Sequence, residues 1–419
     1  MNIPQLRFPE FKDKWNEEKM GEIYSFKITN SFSRDNLNYE EGTVKNIHYG
    51  DIHTKFQTLF DITKETVPFI NSDISIDRIS EDNYCKEGDL ILADASEDLN
   101  DVGKSIEIFN LNNEKLLAGL HTILARPNLE KFDVGFGGYL FKSNKVRTKI
   151  QKEAQGSKVL SISATRLTNI SLDFPSKDEQ KKIVECFSVI DEKIQALKKK
   201  HNLLEQYKKG VMQKLFSQKL RFNDENGNEF PEWEERKFGD TLEIIIDNRG
   251  KTPPVEKKGI PLLEVNSIGS KEVNYNAVSK FVNQDTFDNW FRKYLKSGDV
   301  LFSTVGNTAL CSYYDGKNKA VIAQNIVGFR FTNELGLFMY YLLTEENNYN
   351  KMKAIEMGAV QPSIKVSQLT ELFFKIPTET EQIKISEFLS SLDKKIEVIK
   401  DEIDKVEIWK KGLLQKMFC

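Results

Sequence analysis

The feature that most constrains this chain is an internal repeat. Residues 156–216 match residues 358–418 without a gap, at a constant offset of 202. The likeness is plainest where FPSKDEQKKI (174–183) reads against IPTETEQIKI (376–385), and YKKGVMQKLF (207–216) against WKKGLLQKMF (409–418). Weaker echoes lie upstream: LRFPEFKDKWNEEKMGE from Leu6 returns as LRFNDENGNEFPEWEERKFGD from Leu220, and GDLIL (88–92) as GDVLF (298–302). A period of half the chain excludes a short-repeat solenoid and leaves a duplicated unit, each copy a globular half followed by a helical segment.

The helical segments carry a coiled-coil stripe. Apolar residues fall at Ile183, Phe187, Ile190, Ile194, Leu197 and Leu204, and again at Ile385, Leu389, Leu392, Ile396, Ile399, Ile403 and Val406. Steps of four and three make the 3.5-residue repeat of a helix–helix seam. His201 stands where the second copy has Ile403 and reads as a polar, register-setting position. Each segment opens with proline, a hydroxyl residue and acids (Ser176 to Glu179, Thr378 to Glu381), which suits the exposed N–H groups of a first helical turn. About 40 residues at 1.5 Å each make about 60 Å of helix. The first helix carries the chain away from one half and the second must return, so antiparallel pairing is expected. The halves then stand at opposite ends of a rod, related by a rough two-fold axis. That arrangement is a ruler.

The expected fold class is α+β (mixed α/β): two similar globular domains at 1–175 and 219–377, and a pair of coiled-coil helices at 176–218 and 378–419. Short β-branched runs such as GDLILADAS and KAVIAQNIVGFRF read as strands, and helices are expected at 144–154 and 335–354. The chain has 60 basic and 63 acidic residues, a net charge of −3. The balance is −5 over 1–175, +5 over 176–220, −2 over 221–377 and −1 over 378–419. Neither half is basic overall, so nucleic-acid binding requires basic residues gathered on one face. Four dispersed cysteines without a C-x-x-C pair indicate neither disulfides nor a zinc ribbon, and four scattered histidines indicate no metal site. The N-terminus lacks an apolar leader and no stretch suits a membrane span, so a cytoplasmic protein is expected.

The duplicated pattern FPSKDEQKKIVECFSVIDEKI…YKKGVMQKLF and IPTETEQIKISEFLSSLDKKI…WKKGLLQKMF resembles the two helical regions of type I restriction–modification specificity (S) subunits. IDNRGKTPP (246–254), GNTAL (306–310) and GAVQPSIKVSQL (358–369) are similar to one kind of target-recognition domain of such subunits, and ADASEDLNDVGKS (93–105) with AGLHTILARP (118–127) to another. The first copy departs where GSKVLSI replaces GAVQPSI, leaving Gln361 without a glutamine counterpart. The resemblance implies that each domain reads one half of a bipartite, asymmetric double-stranded DNA target, with the helices setting the unread spacer. Successive major-groove half-sites lie about 34–36 Å apart. It also implies two methyltransferase (M) subunits, forming an adenine-N6 methylase, and two translocase–nuclease (R) subunits. S-adenosylmethionine, ATP and Mg belong to those partners, and the complex sits with the nucleoid through DNA. Lys198–Lys200 and Lys208–Lys209 are candidate partner surfaces.

No catalytic constellation is apparent in the sequence. There is no G-x-x-x-x-G-K-[ST] loop for ATP and no Asn-Pro-Pro-aromatic motif to hold a flipped adenine, and the glycine-rich FDVGFGGY (132–139) reads as a structural turn. A non-catalytic reader is expected; the alternatives are a coiled-coil scaffold with protein-binding ends and a self-contained nuclease or methylase. Base reading needs Arg, Lys, Asn, Gln, Ser or Thr on loops. The candidates are Asn30, Ser31, Arg34, His53, Lys55, Ser96 and Lys104 in the first half. In the second they are Asn248, Arg249, Lys251, Thr252, Ser270, Lys271, Thr304, Asn307, Gln361 and Ser363.

Overall fold

The computed structural model describes residues 3–248 and 250–418. The chain is mixed α/β and divides into two compact units, one formed by 1–197 with 402–419, the other by 198–401. The first unit therefore joins the two ends of the chain, and the second is the continuous stretch between them.

In the first unit a five-stranded sheet runs in the order Tyr24–Lys27, Thr122–Pro127, Leu90–Ala93, Ser105–Asn110, Leu59–Asp61, with only the last pair parallel. In the second, four antiparallel strands run Leu242–Ile246, Ile326–Phe331, Val300–Ser303, Cys311–Tyr313. The echo of GDLIL and GDVLF is structural, because both strings form central strands. Every residue of Leu90–Ala93 and of Val300–Ser303 is buried, as expected of a strand covered on both faces. Alternate side chains enter different cores. Leu90 and Leu92 join the core that holds Ile183 and Phe187, whereas Ile91 joins Ile47 and Leu116 of a second sheet. Val300 and Phe302 likewise meet Ile385 and Leu389, while Leu301 meets Leu263 and Ile322. Each unit is thus layered as helices, main sheet and smaller sheet.

The long helices span Lys177–Phe216 and Glu379–Met417. Their acidic starts do more than favour the helix dipole. Glu179 is buried and takes both oxygens to Arg7 at 2.7 Å, with Trp15 Nε1 donating at 3.4 Å. Glu381 repeats this with Arg221, at 3.2 and 2.9 Å, and Trp233, at 3.0 Å. The following glutamines also match: Gln180 donates to Pro175 O and accepts from Asp133 N, and Gln382 donates to Pro377 O and accepts from Leu335 N. The repeated Glu-Gln pair and the repeated Leu-Arg-Phe and Trp leads are thereby explained as one fastening made twice.

The expected seam is present within each unit. Ile183, Phe187, Ile190 and Ile194 are buried in the same core as Leu414, Met417 and Phe418, with Val406 packed against it. The Phe187 and Phe418 rings lie 6.3 Å apart, Lys410 pairs with Asp191, and Lys193 with Glu402 at 3.0 Å. Rising numbers on one helix meet falling numbers on the other, so the pair is antiparallel there. In the second unit Ile385, Leu389 and Leu392 share a core with Val211, Met212 and Leu215. Ile399 and Ile403 are buried, and Leu197, His201, Leu204 and Ile396 are half-buried. His201 Nδ1 lies 3.7 Å from the Glu205 carboxylate one turn on. The stripe is shared between helix–helix and helix–sheet packing, since Phe187 also lies 5.0 Å from the Tyr139 ring.

One local expectation needs correction. The helix expected at 335–354 is two, Gly336–Thr344 and Glu346–Lys353. Glu345 between them is extended (ψ 139°), and its carboxylate accepts from Asn347 N and Asn348 N at 3.0 and 3.1 Å, capping the second helix. The glycine-rich 132–139 stretch turns at Val134 and Gly135, with Gly135 at φ +97°, and then enters a short buried helix, Phe136–Leu140, closed around Glu107. Gly135 N and Gly138 N donate to that carboxyl at 2.6 and 2.5 Å. A Cβ at Gly137 would stand 2.8 Å from the Tyr24 hydroxyl, so glycine is required by close approach. The expected helix at 144–154 is found at Asn144–Glu153.

Two stability predictions follow from these locks. Burial pushes Glu107 up to about 8 from 4.5 despite its two donors. The folded chain keeps this proton where the unfolded chain loses it, so stability falls as pH rises between those values. The thermal midpoint of the wild type should drop between about pH 5 and 8 by more than that of Glu107→Gln, and equal slopes in melts would contradict the assignment. In the second unit Asp393 is bound by Lys208 and by the Tyr341 hydroxyl at 2.5 Å. Asp393→Ala should cost about 2 kcal/mol and Tyr341→Phe about 1 kcal/mol in denaturant unfolding.

Candidate nucleic-acid interface

The second unit has a cleft of about 700 Å³ at the loop ends of its main-sheet strands. Its floor comes from Thr304, which follows the central strand, and from Asn248, which follows Leu242–Ile246. Its cations are Lys251, Arg292 and Lys365. Asp247 is the lining acid, and it is itself engaged. Arg221, Arg236 and Arg330 are ion-paired to Glu381, Glu334 and Asp299. By contrast the side chains of Lys251, Arg292 and Lys365 are exposed and have no partner among the described residues. Gln324 lines the same cleft with its amide unused among the described residues. Unpaired cations beside free amide donors suit phosphate contact and base reading together.

The cleft collects Asn248, Lys251, Thr304 and Ser363 from four separate stretches of sequence. Their roles differ. Asn248 is buried, donates to Lys251 O at 3.1 Å and accepts from Gly250 N at 3.2 Å, so it shapes the loop that presents Lys251. Thr304 is buried and its backbone binds Asn325 and Ile364. Ser363 bonds Met357 O at 3.5 Å. Thr252 and Asn307 are exposed beside the cleft, Gln361 is exposed on a neighbouring loop, and Arg249 lies outside the described residues. Ser270 and Lys271 are not among the cleft residues. Ser270 Oγ donates to Glu272 O, and Lys271 reaches the second long helix, meeting Ser390 Oγ at 3.0 Å and Asp393 at 3.6 Å.

In the first unit the candidates converge on a short helix, Tyr49–Thr54. Asp51 on that helix is buried and holds Arg34 and Lys55, each at 2.9 Å, with both cationic side chains about half exposed at 48% and 49%. Burial alone would raise the Asp51 carboxyl, but hydrogen bonds from Arg34 and Lys55 keep it below the usual range. Both cations are therefore positioned and still face solvent. Tyr49 gathers three histidines that are scattered in sequence: the rings of His48, His53 and His121 lie 4.6, 6.0 and 5.3 Å away. Burial first, and Arg34 second, push His48 down; burial also pushes His53 down. His121 pairs with Asp94 at 3.2 Å. Lys104 turns inward, donating to His53 O at 2.6 Å. Ser96 accepts from Asp98 N at 3.0 Å. Asn30 is consumed by Asn46, Ala118 O and Phe32 N, while Ser31 is exposed.

Sequence reasoning missed Arg292, Gln324 and Lys365, and Tyr49 in the first unit. Arg292 reads as part of a helix in NQDTFDNWFRKYL, but the helix stops at Trp290. Gln324 interrupts an apolar run, and that polar break was the available signal: the run is two strands, Val321–Ile322 and Ile326–Phe331. Among the described residues no cluster of three or more His, Cys, Asp or Glu is placed to hold a metal, and no helix is long and apolar enough to cross a membrane.

Comparison with known proteins adds independent findings. Residues 12–206 and 231–408 each match the model of the type I restriction modification DNA specificity domain. The type I restriction enzyme MjaVIII specificity subunit of Methanocaldococcus jannaschii is 27% identical, over 66% of this chain and 68% of its own length. The MjaX sequence of the same organism, also named as a type I restriction enzyme specificity subunit, is 25% identical over 99% of this chain and 95% of its own. Among solved structures, the type I restriction-modification S subunit from M. genitalium superposes with a TM-score of 0.59 at 15% identity, covering 100% of this chain and 99% of that one. A chain from a study of complex assembly and conformational transition of the type I R-M system gives 0.57 at 15% identity, covering 96% and 97%.

Proposed function

The chain belongs to the type I restriction–modification DNA specificity family, and from that premise we propose that its two units each read one half of a bipartite, asymmetric DNA target. The observation that carries this reading is the cleft in which Lys251, Arg292 and Lys365 stand without partners beside Gln324. A chain of net charge −3 has little general attraction for DNA, so a local gathering of unpaired cations is the feature that selects a polyanion. In the first unit the pinned pair Arg34 and Lys55 takes that part. Phosphate contacts fix register and base-edge contacts choose sequence. The two long helices contribute to both units, which supports their setting the number of unread base pairs between the halves.

In this reading the chain supplies no reacting group. Two M subunits bring S-adenosylmethionine and transfer methyl groups to adenine N6; two R subunits bring ATP and Mg for translocation and cleavage. The specificity-subunit names of its relatives and the missing ATP and adenine-binding motifs support this division of labour.

Mapping methylated adenines in cells with and without the gene tests the proposal. Exchanging residues 1–175 for those of another family member should change one half of the methylated sequence and keep the other; an unchanged motif rejects it. Inserting about four residues in both long helices adds about 6 Å and should lengthen the spacer by about two base pairs. In salt titrations of the complex assembled with its M subunits, Arg292→Ala with Lys365→Ala should lower the slope of log affinity against log salt by about 2.

A further inference from the structure

Each unit carries a small hairpin at the same place in the repeat. In the second unit Met357 and Ser363 exchange both backbone hydrogen bonds at 2.8 Å, closing a loop of 358–362. In the first unit Gln155 and Ser161 do the same at 2.9 and 2.7 Å, closing 156–160. Both loops turn on a glycine that no other residue can replace without strain. Gly358 has φ +92° and a Cβ there would stand 2.7 Å from Gln361 O; Gly156 has φ +126° and a Cβ would stand 2.0 Å from Val159 O. The bases are anchored as well. Pro362 O accepts from Gly306 N at 2.9 Å and Ile364 N donates to Thr304 O at 2.8 Å. Ile162 N donates to Asp94 O at 2.8 Å, and Leu160 and Ser161 pair with Ser96 and Ala95.

The tips, by contrast, are exposed, and their side chains make no hydrogen bond or ion pair among the described residues. Val360 is 99% exposed, and Val159 is 50% exposed. Gln361 and Lys158 are exposed, with no side-chain partner among the described residues. A rigid ribbon that holds an apolar side chain wholly in water has no stabilising purpose within the unit. It stands at the rim of the cationic cleft, because Ser363 and Lys365, which continue the hairpin, line that cleft.

From this we propose that each hairpin tip is the part of its unit that enters the major groove, resting on the reading of the chain as a DNA specificity subunit. A two-stranded ribbon fits that groove, and in the second unit the cations of the cleft supply the phosphate contacts that hold it there. The side chains then indicate what is read. Val360 packs on a thymine methyl group and the Gln361 amide pairs with adenine N6 and N7, so the second unit's half-site contains an A·T pair at this position. In the first unit Lys158 donates to guanine O6 and N7 while Val159 takes a neighbouring thymine methyl. The replacement of Gln361 by a different residue type in the first copy is thus a change of base read at a shared position.

The experiment compares methylated-adenine maps from cells expressing the wild type, a Val360→Ala/Gln361→Ala variant and a Lys158→Ala/Val159→Ala variant, with melts of the purified chains alongside. The melts should nearly coincide, since these side chains are exposed and form no polar contact among the described residues. Each variant should lose discrimination about tenfold at one position of one half-site, the two variants affecting opposite halves. Wild-type motifs and wild-type methylation in both variants would overturn the groove assignment while leaving the specificity-subunit reading intact. A wild type with no gene-dependent motif would sink both.

Discussion

Asp191 and Asp393 tie together parts of the chain that are distant in sequence, and each unit depends on that tie. Asp191 on the first long helix accepts from the Tyr139 hydroxyl at 2.9 Å and pairs with Lys410 on the second, 219 positions away. Asp393 on the second helix accepts from Tyr341 and pairs with Lys208 on the first. Every carboxylate thus meets a tyrosine from its own globular domain and a lysine from the opposite repeat. Burial raises both tyrosines far above their usual range, with the adjacent aspartate adding to it, so these hydroxyls remain donors. Such partly buried, charge-assisted bonds are costly to leave half made, which favours closing both at once. The consequence is topological: the first unit is made from both ends of the chain, and the last turns of the second helix complete the core that the first residues begin.

The same logic runs through the other duplicated polar groups. Asp89 and Asp299 are fully buried, and each binds one arginine through two parallel hydrogen bonds, Arg126 at 2.9 and 2.8 Å and Arg330 at 2.9 and 2.8 Å. Desolvation pushes these carboxyls up, and the guanidinium opposite is what makes their burial tolerable. They close the turn just before each central strand, accepting from Lys86 N and Lys296 N as well. The Gly-Asp start of the two strands is therefore a structural signal, and its recurrence marks equivalent positions on two sheets of different strand number.

Much of this was legible in the sequence, for identifiable reasons. Helix periodicity is local, so Ile183 to Ile194 and Ile385 to Leu392 announced a seam that the structure buries. The repeat announced equivalent units. What could not be read was convergence across loops. Asn30 and Asn248 have the right chemistry for base reading, yet both side chains are spent on backbone or neighbouring side chains, since Asn serves turns as readily as ligands, and Thr304 is buried with its backbone bonded on both sides. Lys271 and Lys104 look equally free in sequence, but each has an acceptor supplied by a segment far along the chain. Arg292 and Gln324 were hidden for the opposite reason. Each lies inside a run that reads as regular structure, and only the exact end of a helix or strand exposes it, the part of an element that sequence patterns place least well.

Two populations of residues have opposite consequences for change. Groups such as Glu179, Asp191, Asp299 and Glu381 are satisfied by partners drawn from elsewhere in the chain, so altering one strands the other. Lys158, Val159, Val360 and Gln361 have no such partners, and substitutions at sites of this kind usually shift stability by less than about 0.5 kcal/mol. The fold therefore separates what must stay fixed from what is free to vary, and it does so within a few residues: Gly358 and Pro362 frame the very tip whose side chains are unconstrained. On the proposed reading, such a tip can be rewritten position by position while the clamps beneath it go on holding the same two units.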